Sequence, residues 1–203
     1  MIADKISTKD AMALEDKYGA HNYHPLPVVL ERGEGVYVWD PEGNRYYDFL
    51  SAYSAVNQGH CHPRIIKALE NQASTLTLTS RAFYNNVLGE FEQYVTSVFG
   101  FDKVLPMNTG AEAVETALKL CRKWAYEKKG IAENQAKIIV CDGNFHGRTT
   151  TIISFSNDPD STTNFGPYTP GFVRIPYNDL EALNLALEDT DVAGFLVEPI
   201  QGE

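Results

Sequence analysis

The sequence VLPMNTGAE, residues 104–112, joins an apolar stretch to the start of an amphipathic helix pattern. Apolar residues then recur at i, i+3, i+4 and i+7, and Lys-Lys-Gly at 128–130 closes the pattern. We therefore predict a strand over 104–107 that turns through small residues into a long helix. Because free N–H groups and the helix dipole converge at such an N-terminus, Thr109 and Gly110 form a candidate phosphate seat. The same residues also suit an ordinary turn and cap, so the loop alone leaves both interpretations open.

Strand and helix patterns alternate along the chain from residue 103 onward. Further strands are predicted over 137–141, 172–175 and 192–197, with helices between them. A short helix follows Gly147, and Asn178 or Asp179 caps the next one. Such alternation is typical of a mostly parallel α/β sheet with flanking helices.

The first ~50 residues have a different pattern, from which we predict a smaller, separate lobe. A short helix ends at Gly19, and an irregular aromatic-rich segment follows over 20–27. Two strand patterns flank Asp-Pro-Glu-Gly-Asn at 40–44, which predicts a hairpin. We predict an N-terminal small-lobe segment over 1–52 and a larger α/β domain over 53–203, with helices at 63–72 and 86–99.

Composition limits the classes of function. The chain has 203 residues, is 43% hydrophobic and carries a formal net charge of −10, which argues against nucleic-acid or anionic-membrane binding. Three cysteines without a CxxC pair favour reduced thiols and no metal site. No apolar run approaches the ~20 residues of a membrane span. We expect a cytoplasmic protein, or one of the mitochondrial matrix if a presequence has been removed.

Unusual side chains follow the predicted strands, at the edge where ligands gather in parallel sheets. Phe145 and Arg148 come after the strand at 137–141, and a flat ring on the phenylalanine with a carboxylate on the arginine would suit them. A core phenylalanine and a surface arginine are the alternative. Glu198 and Glu203 come after the last strand and could equally be solvated carboxylates.

Several catalytic and nucleotide-binding motifs are absent. The sequence contains no GxxxxGK[ST], no GxGxxG opening a helix, no GxSxG and no metal-ligand spacing. The candidate phosphate seat therefore has no nucleotide motif to support it.

Six segments resemble a known family, in the same order along the chain. They are AHNYHPLP (20–27), SAVNQGHCHP (54–63), LTLTSRAFYNNVLG (76–89), NTG (108–110), NFHGRT (144–149) and VEPIQGE (197–203). Together they resemble the ornithine δ-aminotransferases, which are class III, fold-type I enzymes dependent on pyridoxal 5′-phosphate. The resemblance implies that 53–203 is the first half of the cofactor-binding large domain.

The resemblance also implies roles for individual residues. The cofactor phosphate would be held by Thr109, Gly110 and Ala111, mainly through backbone N–H groups, and the pyridine ring would stack on Phe145. Four residues would bind substrate, and they are Tyr23, Tyr53, Arg148 and Glu203. Tyrosine packing is the alternative for Tyr23 and Tyr53, since the chain has eleven tyrosines. Relatives often carry valine at 111 and tryptophan at 146, so Ala111 and His146 depart from the family pattern.

The activity that the resemblance implies is transfer of the δ-amino group of L-ornithine to 2-oxoglutarate, giving glutamate-5-semialdehyde and glutamate in arginine and proline metabolism. The family works as a homodimer or a higher homo-oligomer. It places its Schiff-base lysine after the VEPIQGE segment, whereas the last lysine here is Lys137. We therefore expect no catalytic lysine in these 203 residues and no activity from them alone. A non-catalytic short paralogue that binds or assembles with a partner, or a related class III ω-aminotransferase, is the alternative.

Overall fold

The computed structural model describes residues 6–202, which form two compact units that divide between Gly89 and Glu90. The boundary between 52 and 53 that the sequence suggests stays a prediction. Within the described residues, no helix is both long enough and apolar enough to cross a membrane.

The first unit contains two helices and a small antiparallel sheet. Helix α1 (Thr8–Tyr18) begins at the Ser7 cap and ends at Gly19, as predicted. Strands β1 (Arg32–Glu34), β2 (Tyr37–Trp39) and β3 (Arg45–Tyr47) follow in the order β1-β2-β3.

The predicted hairpin of the first unit is confirmed as β2 and β3. Its turn is held by the buried Asp40, whose carboxylate accepts hydrogen bonds from the Asn44 amide and from the Tyr46 hydroxyl. Strand β1 has no apolar alternation, and its pairing with β2 is what makes it a strand. Helix α2 (Pro63–Thr75) completes the unit, with a proline in its first turn.

The second unit begins with two helices. Helix α3 (Leu88–Phe99) crosses the division between the units, and α4 runs over Gly110–Trp124. A π-helical turn, Ala125–Lys129, continues α4 to Gly130, whose φ of +79° ends it in the left-handed conformation. The predicted helix and its Lys-Lys-Gly end are thus confirmed.

The second unit is built on a parallel sheet with helices on both faces, which confirms the predicted fold class. Its strands are β4 (Lys137–Cys141), β5 (Phe172–Ile175) and β6 (Val192–Leu196), in the order β5-β4-β6. Two short helices, α5 (Thr150–Ile153) and α6 (Pro159–Thr162), lie between β4 and β5, and α7 (Leu180–Leu187) lies between β5 and β6.

Strand β4 divides the core because its side chains alternate between the two faces. Ile138 and Val140 pack with Leu118 of α4 and with α5, while Ile139 and Cys141 pack towards α7. Because both faces are covered, the strand is apolar almost throughout and was predicted with the correct bounds. Its central position brings the loops after β4 and β6 to one edge.

The strand predicted over 104–107 is wrong. Residues 103–107 have no regular structure, and every strand pair in the second unit's described residues lies among β4, β5 and β6. Pro106 has no N–H to donate to a neighbouring strand, and Leu105 is 64% exposed. Apolar composition alone therefore does not make this segment a strand.

Candidate functional site

The helix that follows the VLPMNTGAE segment is capped by its own first residues. Thr109 Oγ1 accepts a hydrogen bond from Glu112 N at 3.1 Å, and Glu112 Oε2 accepts from the N–H groups of Asn108 and Thr109 at 2.9 and 3.1 Å. This is a capping box. The Thr109 N–H is thus already donated, and Gly110 and Ala111 carry N–H groups that have no acceptor within the helix.

Space for an anion remains at this N-terminus. A Cβ added to Gly110 would meet no atom within 4 Å, so the backbone is open to an approaching group. The positive end of the 15-residue α4 adds partial charge there. Two backbone N–H groups and the Thr109 hydroxyl can therefore hold an anion. The family resemblance implied Thr109, Gly110 and Ala111, mainly through their N–H groups, and the Thr109 N–H is the one already donated.

The loop after β4 packs directly on this seat. Gly147 has a φ of +125°, and a Cβ placed on it would lie 2.9 Å from Ala111 Cβ and 3.1 Å from Ile152 Cδ1. No larger residue fits without movement. The structure therefore brings Ala111, in the first turn of α4, and the Phe145–Arg148 loop after β4 together. This convergence was expected, although the strand predicted before α4 is wrong.

A second contact joins α4 to the same loop. Thr149 Oγ1 donates to Glu115 Oε1 at 2.5 Å and also accepts from Ile152 N at 3.4 Å, so one hydroxyl caps α5 and ties it to α4. Sequence reasoning did not identify this pair.

Phe145 lies at the surface of the cluster, and the residue is 44% exposed. The guanidinium carbon of Arg148 is 5.5 Å from the Phe145 ring centroid, and Glu198 Oε2 accepts the Phe145 N–H at 3.2 Å. A flat aromatic group could lie on this ring, with a cation beside it. Arg148 thus lies beside the Phe145 ring, and the Glu198 carboxylate lies beside the Phe145 main chain.

His146 is half-buried beside these residues, with its ring centroid 6.0 Å from that of Phe155. Burial lowers the pKa of His146, and the nearby Glu198 carboxylate acts in the opposite direction. The neutral imidazole is therefore favoured at neutral pH, which suits a packing role.

The two tyrosines proposed for substrate belong to the first unit, whereas the residues described above belong to the second. Tyr23 belongs to the irregular segment after α1. Tyr53 lies in a run of four left-handed residues, 51–54, with φ between +48° and +71°. Asp48 supports this run by accepting the N–H groups of Leu50 and Ser51 at 3.0 and 2.8 Å. Strained backbone of this kind often occurs at functional sites, and the roles of both tyrosines stay predictions.

Glu203 lies outside the described residues. The segment before it, 197–202, is held by side chains that sequence reasoning missed. Tyr177 and Gln201 hydrogen-bond to backbone carbonyls across the loops, over separations of 21 and 59 residues. Nothing in a single sequence reveals such distant pairs. The Glu112 cap, by contrast, could have been read from Thr-Gly-Ala-Glu at 109–112, which matches the capping-box pattern.

Comparisons with known proteins agree on one family. The family model described as aminotransferase class-III matches residues 18–203. A curated relative, the mitochondrial ornithine aminotransferase of Drosophila ananassae, is 65% identical over 97% of this chain and 45% of its own length. The chain thus spans about half the length of the curated relatives it matches.

Solved structures give the same result. An ornithine aminotransferase from Toxoplasma gondii, whose structure is described as having partial PLP occupancy at the active site, superposes with a TM-score of 0.95 at 53% identity. The match covers 98% of this chain and 47% of that one. An acetylornithine aminotransferase from Elizabethkingia anophelis superposes with a TM-score of 0.83 at 62% identity, over 98% and 46%.

Proposed function

This chain belongs to the class-III aminotransferase family, and from that premise we propose that its protein transfers the δ-amino group of L-ornithine to 2-oxoglutarate with pyridoxal 5′-phosphate as cofactor. One structural observation carries the proposal. Gly147 brings the Phe145–Arg148 loop against Ala111, so an anion seat and an exposed aromatic ring lie on the same edge of the sheet. The 65% identity to a named ornithine aminotransferase supports the choice of substrate.

The residues present fit the proposed cofactor. Its phosphate matches the N–H groups of Gly110 and Ala111 and the Thr109 hydroxyl at the positive end of α4, where the Gly110 backbone is open to an approaching group. Its flat ring matches the exposed Phe145 side chain. Pyridoxal phosphate, when bound, supplies the electron sink that makes amino-group transfer feasible.

The residues of this chain would bind and orient the cofactor and the substrate. Gly110 and Ala111 would fix the phosphate end, and Phe145 would fix the plane of the ring. Arg148, whose planar fork suits a carboxylate, would orient the substrate acid group. Tyr23 and Tyr53 as substrate contacts, and Glu203 as the residue that distinguishes the two half-reactions, remain part of the proposal and rest on the family resemblance.

A related class III enzyme that transfers the free amino group of an N-acetylated diamino acid is the second candidate. It is favoured by the 62% identity to the structure named acetylornithine aminotransferase. A substrate screen separates the two. Intact purified protein, supplied with pyridoxal phosphate and 2-oxoglutarate, is expected to form glutamate fastest with L-ornithine. Faster turnover of N-acetylornithine would assign the second function, and no turnover of any amine would contradict both.

Assembly and location complete the proposal. We expect a homodimer or a higher homo-oligomer, which light scattering of the intact protein tests, since a monomer alone would refute it. A cytoplasmic location remains the prediction, with the mitochondrial matrix as the alternative that the name of the Drosophila ananassae relative supports.

A further inference from the structure

We propose that Tyr177 and Gln201 are positioning residues for the ring of Phe145. They hold the segment 197–202 so that Glu198 accepts the Phe145 N–H, and this contact sets where the ring lies. The inference rests on the proposed function, since its importance depends on a flat cofactor binding against Phe145.

Tyr177 holds the beginning of the segment. It follows β5 by two residues, and its ring packs in the core cluster that contains Ile139 and Ile175. Its hydroxyl lies 3.1 Å from the Glu198 carbonyl oxygen and 3.0 Å from that of Pro199. A donor on a rigid, half-buried ring therefore restrains two consecutive peptides of the loop.

Gln201 holds the other end. Its Nε2 donates to the Asp142 carbonyl oxygen at 2.7 Å, and a Cβ added to Gly143 would lie 3.5 Å from its Oε1. Asp142 is itself joined to the sheet, because its N–H donates to the Ile175 carbonyl at 2.8 Å. Residues 198–201 are thus restrained at both ends by groups fixed to β4 and β5.

The restrained segment presents Glu198 to the peptide that carries Phe145. Glu198 Oε2 accepts the Phe145 N–H at 3.2 Å. The preceding residue, the buried Asn144, donates from Nδ2 to the carbonyls of Cys141 and Phe155 at 2.6 and 3.2 Å. One side of the peptide is therefore fixed by Asn144 within its own loop, and the other depends on a carboxylate from the loop after β6. Moving Glu198 releases only the side nearer the ring.

Binding of 4′-deoxypyridoxine 5′-phosphate to the purified protein, measured by calorimetry, tests the inference. This analogue has no aldehyde, so its affinity reports the seat and the ring face without covalent attachment. Tyr177→Phe is expected to weaken binding about fivefold, the factor that corresponds to one neutral hydrogen bond. Tyr168→Phe is the matched control, because that hydroxyl donates to the Thr162 carbonyl elsewhere in the unit, and its affinity should equal that of the wild type.

A double-mutant cycle separates positioning from a general loss of stability. Glu198→Ala is expected to weaken binding by at least about tenfold, since it removes a charged acceptor, whereas Glu198→Gln keeps an acceptor and should stay near the wild type. Because Tyr177 acts through Glu198, adding Tyr177→Phe to Glu198→Ala should weaken binding no further. Fully multiplicative effects in the double variant would overturn the inference.

Hydrogen exchange of the unliganded protein gives an independent measurement. The peptide covering 143–149 should exchange faster in Tyr177→Phe and in Gln201→Ala than in Tyr168→Phe, because the Phe145 N–H loses its fixed acceptor. If the wild type binds the analogue and Tyr177→Phe changes neither the exchange nor the affinity, the positioning role is refuted and the proposed function is not. A wild type that does not bind the analogue would refute the proposed function together with it.

Discussion

Replacing Gly147 by alanine tests the contact that joins the two halves of the candidate site. The φ of +125° lies well beyond the left-handed well near +57° that other residues can visit. The new methyl group would lie 2.9 Å from Ala111 Cβ and 3.1 Å from Ile152 Cδ1, closer than carbon atoms pack. Backbone strain and overlap therefore act together at this one position.

The size of the effect follows from these two contributions. Backbone strain at such a φ costs about 1–3 kcal/mol, and overpacking by one methyl group in a well-packed site costs about 1–3 kcal/mol. We expect Gly147→Ala to lower the free energy of unfolding by about 3–4 kcal/mol. Gly130→Ala is the matched control, because its φ is +79° and a Cβ there would meet no atom within 4 Å. Strain alone should cost it about 1 kcal/mol.

Urea unfolding followed by circular dichroism measures both variants. Ala111→Gly removes the closer methyl group and leaves Ala111 Cα at 3.4 Å from the new Cβ, an ordinary contact. Because glycine in a helix itself costs up to about 1 kcal/mol, Ala111→Gly is measured in both backgrounds. It should cost about 1 kcal/mol less in Gly147→Ala than in the wild type. If Gly147→Ala is no less stable than Gly130→Ala, or if Ala111→Gly costs the same in both backgrounds, the described packing of this loop on α4 is wrong.

Three further substitutions test separate contacts. Thr109→Ala removes the side-chain cap of α4 and should lower stability to urea by about 1 kcal/mol; an unchanged midpoint would contradict the capping box. Thr149→Val removes both the hydrogen bond to Glu115 and the cap of α5, for an expected loss of about 2 kcal/mol, and a loss below about 0.5 kcal/mol would contradict it. In the first unit, His60 Nε2 lies 2.7 Å from Asp48 Oδ2, and this hydrogen bond holds the pKa of Asp48 below its ordinary value. A depressed folded pKa contributes stability that is complete above the ordinary pKa of about 3.9 and is lost as pH falls through the folded value. Asp48→Asn should therefore be less stable than the wild type at pH 7, with a gap that narrows below about pH 4, and a gap independent of pH would refute the pairing.

Local sequence signals predicted the parts of the fold that local physics determines. Strand β4 is a continuous apolar run because both of its faces are buried, and α4 carries an amphipathic pattern with a glycine at its end. Strand β1 could not be predicted in this way, since Arg-Gly-Glu becomes a strand only through its pairing with β2. Residues 104–107 show the opposite error, because apolar residues around Pro106 form no strand without a partner.

The residues of the candidate site also differ in whether local sequence predicts them. Thr109 could be proposed because it directly precedes a helix start, and Phe145 and Arg148 because they follow a strand end. Tyr177 and Gln201 could not, because their hydrogen bonds cross 21 and 59 residues and depend on strand order. Contacts between polar side chains that are far apart in the chain produce no local sequence pattern, so a single sequence does not predict them.

A crystal structure of the protein with 4′-deoxypyridoxine 5′-phosphate bound would show whether this edge of the sheet holds the cofactor. We predict phosphate oxygens within about 3.2 Å of the Gly110 and Ala111 nitrogens. We also predict the pyridine ring stacked on Phe145, with the Phe145 N–H still donated to Glu198. A phosphate bound elsewhere, or a ring that does not contact Phe145, would contradict the assignment of this edge of the sheet as the cofactor site.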